Sequence, residues 1–478
     1  MPPGAWLTKA PLPGGWESPE RAGVPGFSLV SRAPADAWIA GSFARGRPMF
    51  VRFFLLFVAF AALPAAAQNA PTPQPVTIIV HAGRLIADAG RPATGPSTIT
   101  IVDGRITNVA AGLAPPPPGA RLVDLSSRTV LPGLIDAHVH LSGDPGGEFW
   151  REAIDTDEYA TLVGAKNARI TLRAGFTTVR DVGSGPQVGF ALRRATAEGV
   201  IEGPRIIAAG AAISIIGGHG DVTGFRPEVI EALSAHNTCT GPVQCAERVR
   251  EASRAGADMI KITATGGVLS QQARGLGQHF TDDELRAIVE TAHSLGLKVA
   301  AHAHSARGIE AAARAGVDSI EHGTFADAAA LQAMRRSNSV LVPTLMAFTG
   351  IREGLAANRY TPPVAAKVRE TLAVVGRAAR QARAAGVPIV FGTDAAVYEH
   401  GRNAQEFSQL VELAGMSPAE AIVSATTAAA RLLGLENEVG RIAPGYSADL
   451  IAVGGDPLAD VRALEHVAFV MVRGRIAE

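Results

Sequence analysis

Three shortages limit what this chain can be. Among its 478 residues there are two cysteines, and 44 basic and 44 acidic side chains cancel to a formal charge of zero. Its most conspicuous apolar run, residues 53–63, falls short of the ~20 residues a membrane-spanning helix needs. The charge balance gives no electrostatic reason to expect a nucleic acid or an anionic membrane as partner. Cys239 lies in a polar segment, Asn237-Thr238-Cys239-Thr240-Gly241-Pro242, that reads as a surface loop, and Cys245 follows shortly after it. In an oxidising compartment they could close a small disulfide. Two free thiols are the alternative, because sequence separation does not fix loop geometry, and a zinc site is not expected there.

The short apolar run has its own reading. Met49-Phe50-Val51-Arg52 precedes it and Pro64-Ala65-Ala66-Ala67-Gln68 follows it. A basic start, a brief apolar stretch and a small-residue site are the parts of a secretory signal peptide; a membrane anchor or a plain apolar segment is the alternative. The expectation is a biological start at Met49, residues 1–48 as an upstream extension, a signal peptide over 49–67 and a mature protein beginning near Gln68. Such a protein is periplasmic or secreted and keeps no stable membrane anchor after processing.

What the chain does have is a 47% hydrophobic composition, enough for a large core. Short alternating runs at 76–80, 97–102 and 105–109 read as antiparallel strands. The same style returns at 448–453 and 467–472, and Pro115 to Pro118 mark a stiff connector. Between them, apolar strands alternate with helix-like segments, the signature of βαβ units. Candidate strands fall at 130–139, 177–182, 205–209, 259–263, 298–303, 319–322, 340–345 and 389–393. Thr281 with Glu284 forms a capping box ahead of a helix through Ser294, and Ser417-Pro418-Ala419-Glu420 caps a later one. The expected architecture is α/β: a closed (β/α)8 TIM barrel over 131–435, with a small β-sandwich domain built from 68–130 and 436–478.

Chemistry gathers at the strand ends. His138-Val139-His140 closes the first apolar run, and residues two apart in a strand point the same way, so both imidazoles can converge on one metal ion. A lone pair of this kind often reflects only surface or core hydrogen bonding. Here Lys261 lies inside a buried-looking strand, and later strands end in His302-Ala303-His304, His322 and Asp394. In parallel barrels functional residues sit at the C-terminal strand ends. His138 and His140 would hold one ion, His302 and His322 another, and Asp394 would bind the first while hydrogen-bonding its water. A cationic lysine cannot ligate a metal, but its neutral amine can take up CO2 to give an anionic, bridging carbamate. A snorkelling or salt-bridged lysine is the plainer alternative.

The ordered set Pro132-Gly133-Leu134-Ile135-Asp136-Ala137-His138-Val139-His140, Ile260-Lys261-Ile262, Thr265-Gly266-Gly267-Val268, His302-Ala303-His304, Ile320-Glu321-His322-Gly323, Val342-Pro343-Thr344-Leu345 and Gly392-Thr393-Asp394-Ala395 resembles the amidohydrolase superfamily. It is most similar to the branch of Xaa-Pro dipeptidase, imidazolonepropionase-like and ochratoxin-hydrolysing amidohydrolases. The resemblance runs from about Val76 to the C-terminus. It implies a binuclear site of His138, His140, Lys261, His302, His322 and Asp394, with Lys261 carboxylated and two divalent ions, zinc as the expected metal. Single-metal imidazolonepropionases and deaminases lack the lysine on strand four, so Lys261 argues against them.

His304 shares a face with His302, and His219 follows strand three in a loop that can approach a substrate. Either could polarise the scissile carbonyl or hold a substrate carboxylate; a structural hydrogen bond is the alternative for each. Tyr398 and His400 are expected on a loop over the mouth, in contact with substrate. Arg180 and Asp181 are expected to form a structural ion pair. His81, His236, His279, His293 and His466 have no site context.

The resemblance implies a metal-dependent hydrolase of amide bonds in dipeptides or N-acyl amino acids, ochratoxin A among them, with Asp394 moving the proton. A deaminase or cyclic-amide hydrolase on the same barrel is the alternative enzyme. A non-enzymatic binding protein would normally show eroded ligands, and none is eroded here. The expected partner is a small amide or dipeptide; a homo-oligomer is left open.

Overall fold

The computed structural model describes residues 76–146, 149–271 and 275–478. The expected upstream extension, the signal peptide and residues 68–75 of the β domain lie outside the described residues.

Strand β1 (Thr77–Leu85), β2 (Ser97–Val102) and β3 (Arg105–Ala111) form an antiparallel meander. The β2–β3 turn is Asp103-Gly104, with φ of 49° and 79°. Positive φ at both central residues matches the right-handed twist of a hairpin, which is why an Asp-Gly pair sits there. After the prolines comes β4 (Arg121–Pro132), parallel to β1. The strand expected at 130–139 is therefore two strands. Gly133 breaks it, where any Cβ would run into the Thr177 side chain; the chain then enters β5 (Leu134–Val139).

The parallel strands β5, β6 (Phe176–Asp181) and β7 (Arg205–Ala208) make a three-stranded sheet. β8 (Met259–Thr263), β9 (Lys298–Ala303), β10 (Ser319–His322) and β11 (Val340–Val342) make a four-stranded one, ordered β11-β10-β9-β8. Isolated parallel bridges link these sheets and the segment after them: Ile213 to Ile262, Leu341 to Ile389 and Val139 to Ala395. The eighth strand expected at 389–393 does not form a ladder. Its backbone serves its neighbours singly: Val390 N–H donates to Leu341 O (2.9 Å) and Phe391 O accepts from Ala137 N–H (3.0 Å). At its end the chain turns away, with Asp394 at φ 62°. With helices between the strands, this is a TIM-barrel-like α/β fold. Both capping boxes are present, at the starts of helices Asp282–Ser294 and Pro418–Ser424.

The chain returns to the first sheet through β12 (Leu450–Val453), β13 (Val467–Val472) and β14 (Arg475–Ile476). Where a sandwich was expected, strands from both ends lie in one seven-stranded sheet, ordered β14-β13-β12-β4-β1-β2-β3. The long β4 makes this possible. Its body pairs with β1, and its last residues, Thr129 to Pro132, pair on the other edge with β12. Ile78, Val80, Ile99, Ile101, Leu450 and Met471 bury one face of that sheet.

In the larger core Phe391 is fully buried and sits between Phe176 and Phe407, with ring centroids at 5.5 and 4.4 Å. It lies three positions before Asp394, so its packing locates that carboxylate. Phe391→Ala is expected to destabilise the protein by about 3 to 5 kcal/mol, as large core truncations do, measured by denaturant unfolding.

Candidate active site

Period-two alternation along β5 puts Asp136, His138 and His140 on one face. Asp136 goes deepest and is fully buried. Its carboxylate accepts from Thr393 Oγ1 (2.6 Å), Asn403 Nδ2 (2.8 Å) and the N–H groups of His138 and Thr393 (3.1 Å each). It thereby pins the 389–395 segment to β5. Burial pushes it up to about 6 despite these donors.

Two groups of donors face one another across a cavity of about 470 Å³. His138, His140 and Asp394 form the first; His302, His304 and His322 form the second. Asp394 Oδ1 lies 3.4 Å from Nε2 of both His138 and His140. Rings of the two groups approach closely, His138 to His322 at 5.1 Å between centroids. Lys261, from the middle of β8, is buried and lines the same cavity.

The rear nitrogens are held. His138 Nδ1 donates to Glu321 Oε2 (2.7 Å), and His140 Nδ1 to the Gly183 carbonyl (2.8 Å). Nδ1 of His322 and of His304 are each 2.7 Å from a threonine hydroxyl, Thr344 and Thr324. On His302 it is Nε2 that is engaged, 3.3 Å from the Gly266 carbonyl. An acceptor-only carboxylate or carbonyl makes the bonded nitrogen of His138, His140 and His302 the N–H, and the threonine hydroxyls hold the rings of His304 and His322 in place.

Charge states suit cation binding. Desolvation lowers His140 and His304 to about 4 each, and His302 and His322 well below the ordinary imidazole range. These are neutral ligating forms. Burial alone would raise Asp394, but the hydrogen bond from His138 works against it and holds it far below the usual carboxylate range. Burial pushes Lys261 down to about 8, against the opposing carboxylates of Glu321 and Asp394. That makes the neutral amine accessible, as carbamate formation requires. Soft-to-borderline nitrogen donors with carboxylate oxygen fit a divalent ion such as zinc.

The backbone is strained beside the candidate donors. His322 (φ 68°), Thr344 (φ 48°) and Asp394 (φ 62°) all occupy the left-handed region. Each such placement costs about 1 to 3 kcal/mol for a non-glycine residue and persists only where surroundings impose it.

Several sequence expectations change. Arg180 does not pair with Asp181, because neighbours on a strand point to opposite faces. Arg180 turns inward and donates to Glu321 Oε1 (2.9 Å), Ser319 Oγ (3.1 Å) and the Ala137 carbonyl. Asp181 is buried elsewhere, accepts from Gly183 N–H (3.3 Å) and is pushed by burial up to about 7. Tyr398 and His400 do not line the cavity. Both are buried; Tyr398 packs under the Arg402 guanidinium, and His400 is tied to Thr171 and the Gly143 carbonyl. His219 and His304 do line it. A disulfide joins Cys239 to Cys245, with Cα atoms 5.0 Å apart. Sequence reading gave no role to Glu321 or Asp136. The available signal was a carboxylate inside an apolar strand run, one residue before or two before a ligand-type histidine.

Comparison with known proteins identifies the family. A model of the amidohydrolase family matches residues 129–477. The chain is 32% identical over 426 residues to an ochratoxinase from Aspergillus niger, covering 83% of this chain and 85% of that one. It is similar to a crystal structure of a Xaa-Pro dipeptidase with bound methionine in the active site, with a TM-score of 0.78 and 37% identity over 84% of this chain and 99% of that one. It is also similar to a crystal structure of a prolidase complexed with N-methylphosphonate-L-proline, with a TM-score of 0.76 and 30% identity over 84% and 99% of the two chains. The chain belongs to the amidohydrolase family, and its relatives there are hydrolases. Among the described residues no helix is long and apolar enough to cross a membrane.

Glu321 orients His138 from behind, so Glu321→Gln is expected to lower metal affinity about 10- to 100-fold, the usual effect of losing such a partner. Equilibrium dialysis against zinc, with a thermal melt as control for folding, measures it.

Proposed function

We propose that this protein is a metal-dependent hydrolase that cleaves the amide bond of dipeptides or N-acyl amino acids, ochratoxin A included, on a closed (β/α)8 barrel spanning residues 131–435. The observation that carries the reading is the pair of three-donor groups facing each other across one cavity with Lys261 in its wall. His138, His140 and Asp394 would hold one divalent ion, His302 and His322 the other, and a carboxylated Lys261 would bridge them. When bound, such ions polarise the scissile carbonyl and activate water.

The chain's own residues do the rest. Asp394, held in its carboxylate form, takes a proton from the attacking water and returns it to the leaving amine. His219 and His304, neutral at the wall, would donate through Nε2 to a carbonyl or carboxylate oxygen, with the Ser270 and Thr324 hydroxyls donating to their Nδ1 atoms. An apolar wall of Val268, Leu269, Phe348, Ile351 and Val397 favours an apolar leaving residue such as Phe or Pro. The reading includes export, supported by the apolar run at 53–63 and by the Cys239–Cys245 disulfide.

Purified protein is expected to carry close to two equivalents of divalent metal by elemental analysis. Lys261→Ala should lose metal and activity together, with partial rescue by short carboxylic acids; full activity in that variant rejects the bridging role. Substrate recognition is tested by kcat/KM for an N-acyl amino acid or Xaa-Pro dipeptide against its C-terminal amide. The free acid should be strongly preferred, because donors built for a carboxylate are left unpaired by the amide. Equal rates point instead to a general amidase or a cyclic-amide hydrolase.

A further inference from the structure

We propose that Lys367 is a positioning residue of the substrate cavity: it clamps residues 265–271, the segment that follows β8 and carries part of the apolar wall, and through Ser270 it fixes His219. Lys367 lies on the helix Pro362–Leu372 and is 6% exposed. Its Nζ donates to the Gly267 carbonyl (2.9 Å) and the Ser270 carbonyl (2.7 Å). The Ser270 hydroxyl in turn lies 2.6 Å from His219 Nδ1. One serine thus receives the ammonium on its backbone and holds the histidine with its side chain. The His219 ring sits 4.2 Å from that of His302.

The segment has no room to settle differently. A Cβ at Gly267 would collide with the His219 imidazole, so only glycine lets the backbone lie flush against that ring. Val268 and Leu269 line the cavity, and Val268 packs with Ile351, Val364 and Val368 in an apolar cluster separate from the main core. Apolar contact is non-directional and by itself leaves the segment free to slide along the helix. A buried ammonium is costly unless its donors are satisfied, and hydrogen bonds from a charged group are strong and directional. Lys367 therefore sets the register of the apolar wall and, one residue further, the aim of His219.

The test compares Lys367→Met, Ser270→Ala and the double variant with wild type in the full, metal-loaded chain. Hydrogen–deuterium exchange is read for peptides covering 265–271 and 214–220. Lys367→Met should speed exchange in both by about 10-fold, the loss expected for a charge-assisted bond, while the rest of the barrel keeps its protection. Ser270→Ala should speed it in 214–220 alone. The kinetic arm rests on the amide-hydrolase reading: on an N-acyl-phenylalanine, Lys367→Met should raise KM more than it lowers kcat. The double variant should fall short of the product of the single effects on kcat/KM. Unchanged exchange over 214–220, a uniform rise along the chain or multiplicative kinetics overturns the proposal. Absence of turnover in wild type would instead count against the hydrolase reading, with the exchange arm still deciding on Lys367. If Lys367→Met does not fold, Ser270→Ala decides: local loosening of 214–220 supports the link, and unaltered exchange there rejects it.

Discussion

The buried carboxylate of Glu321 is the constraint on which the rest of the site depends. It stands fully enclosed between the Arg180 guanidinium at 2.9 Å and the His138 imidazole at 2.7 Å. Removing a carboxylate and a guanidinium from water is expensive, and the pair is tolerable only because nearly every donor and acceptor is matched. Arg180 also binds Ser319 and the carbonyl of Ala137. One ion pair therefore fastens β5, β6 and β10 at the height where the metal-type residues emerge. Such a pair is weak evidence for stability, and what the contacts show is that it ties three strands together.

Asp136 does the same work for the segment after the last parallel strand. Lacking a ladder of its own, the 389–395 segment is held by Thr393, Asn403 and backbone donors converging on that carboxylate, and by Phe391 packed between two other aromatic rings. The left-handed conformation of Asp394 is sustained by this surplus of fixed points. A regular strand end would carry the side chain away from His138 and His140. The irregularity that obscures the eighth strand is what brings the Asp394 carboxylate beside His138 and His140.

Much of the fold was legible because it is local. Buried parallel strands read as nearly continuous apolar runs, so the runs at 259–263, 298–303 and 319–322 coincide with β8, β9 and β10. Capping boxes involve residues three apart and need no partner elsewhere. The break within 130–139 is hidden from the sequence because Gly133 is small and apolar enough to pass within a run, while the reason for the break, Thr177, lies on another strand. Tyr398 and His400 were misplaced for a similar reason. Proximity in sequence to Asp394 says nothing of direction once the backbone turns through positive φ.

The sequence by itself determined the class of this protein: alternating strands and helices, histidine and carboxylate residues at the ends of apolar runs, a lysine within one of them, and their order along the chain. Those features depend on short-range periodicity and residue chemistry, both of which are written residue by residue. Only the tertiary structure decided which carboxylate Arg180 meets, that His304 groups with His302 and His322, and that Lys367 reaches residues 265–271 from a helix about a hundred positions away. Pairings of this kind are set by packing between distant elements, where the desolvation of each charge selects the one partner that the assembled fold brings within reach.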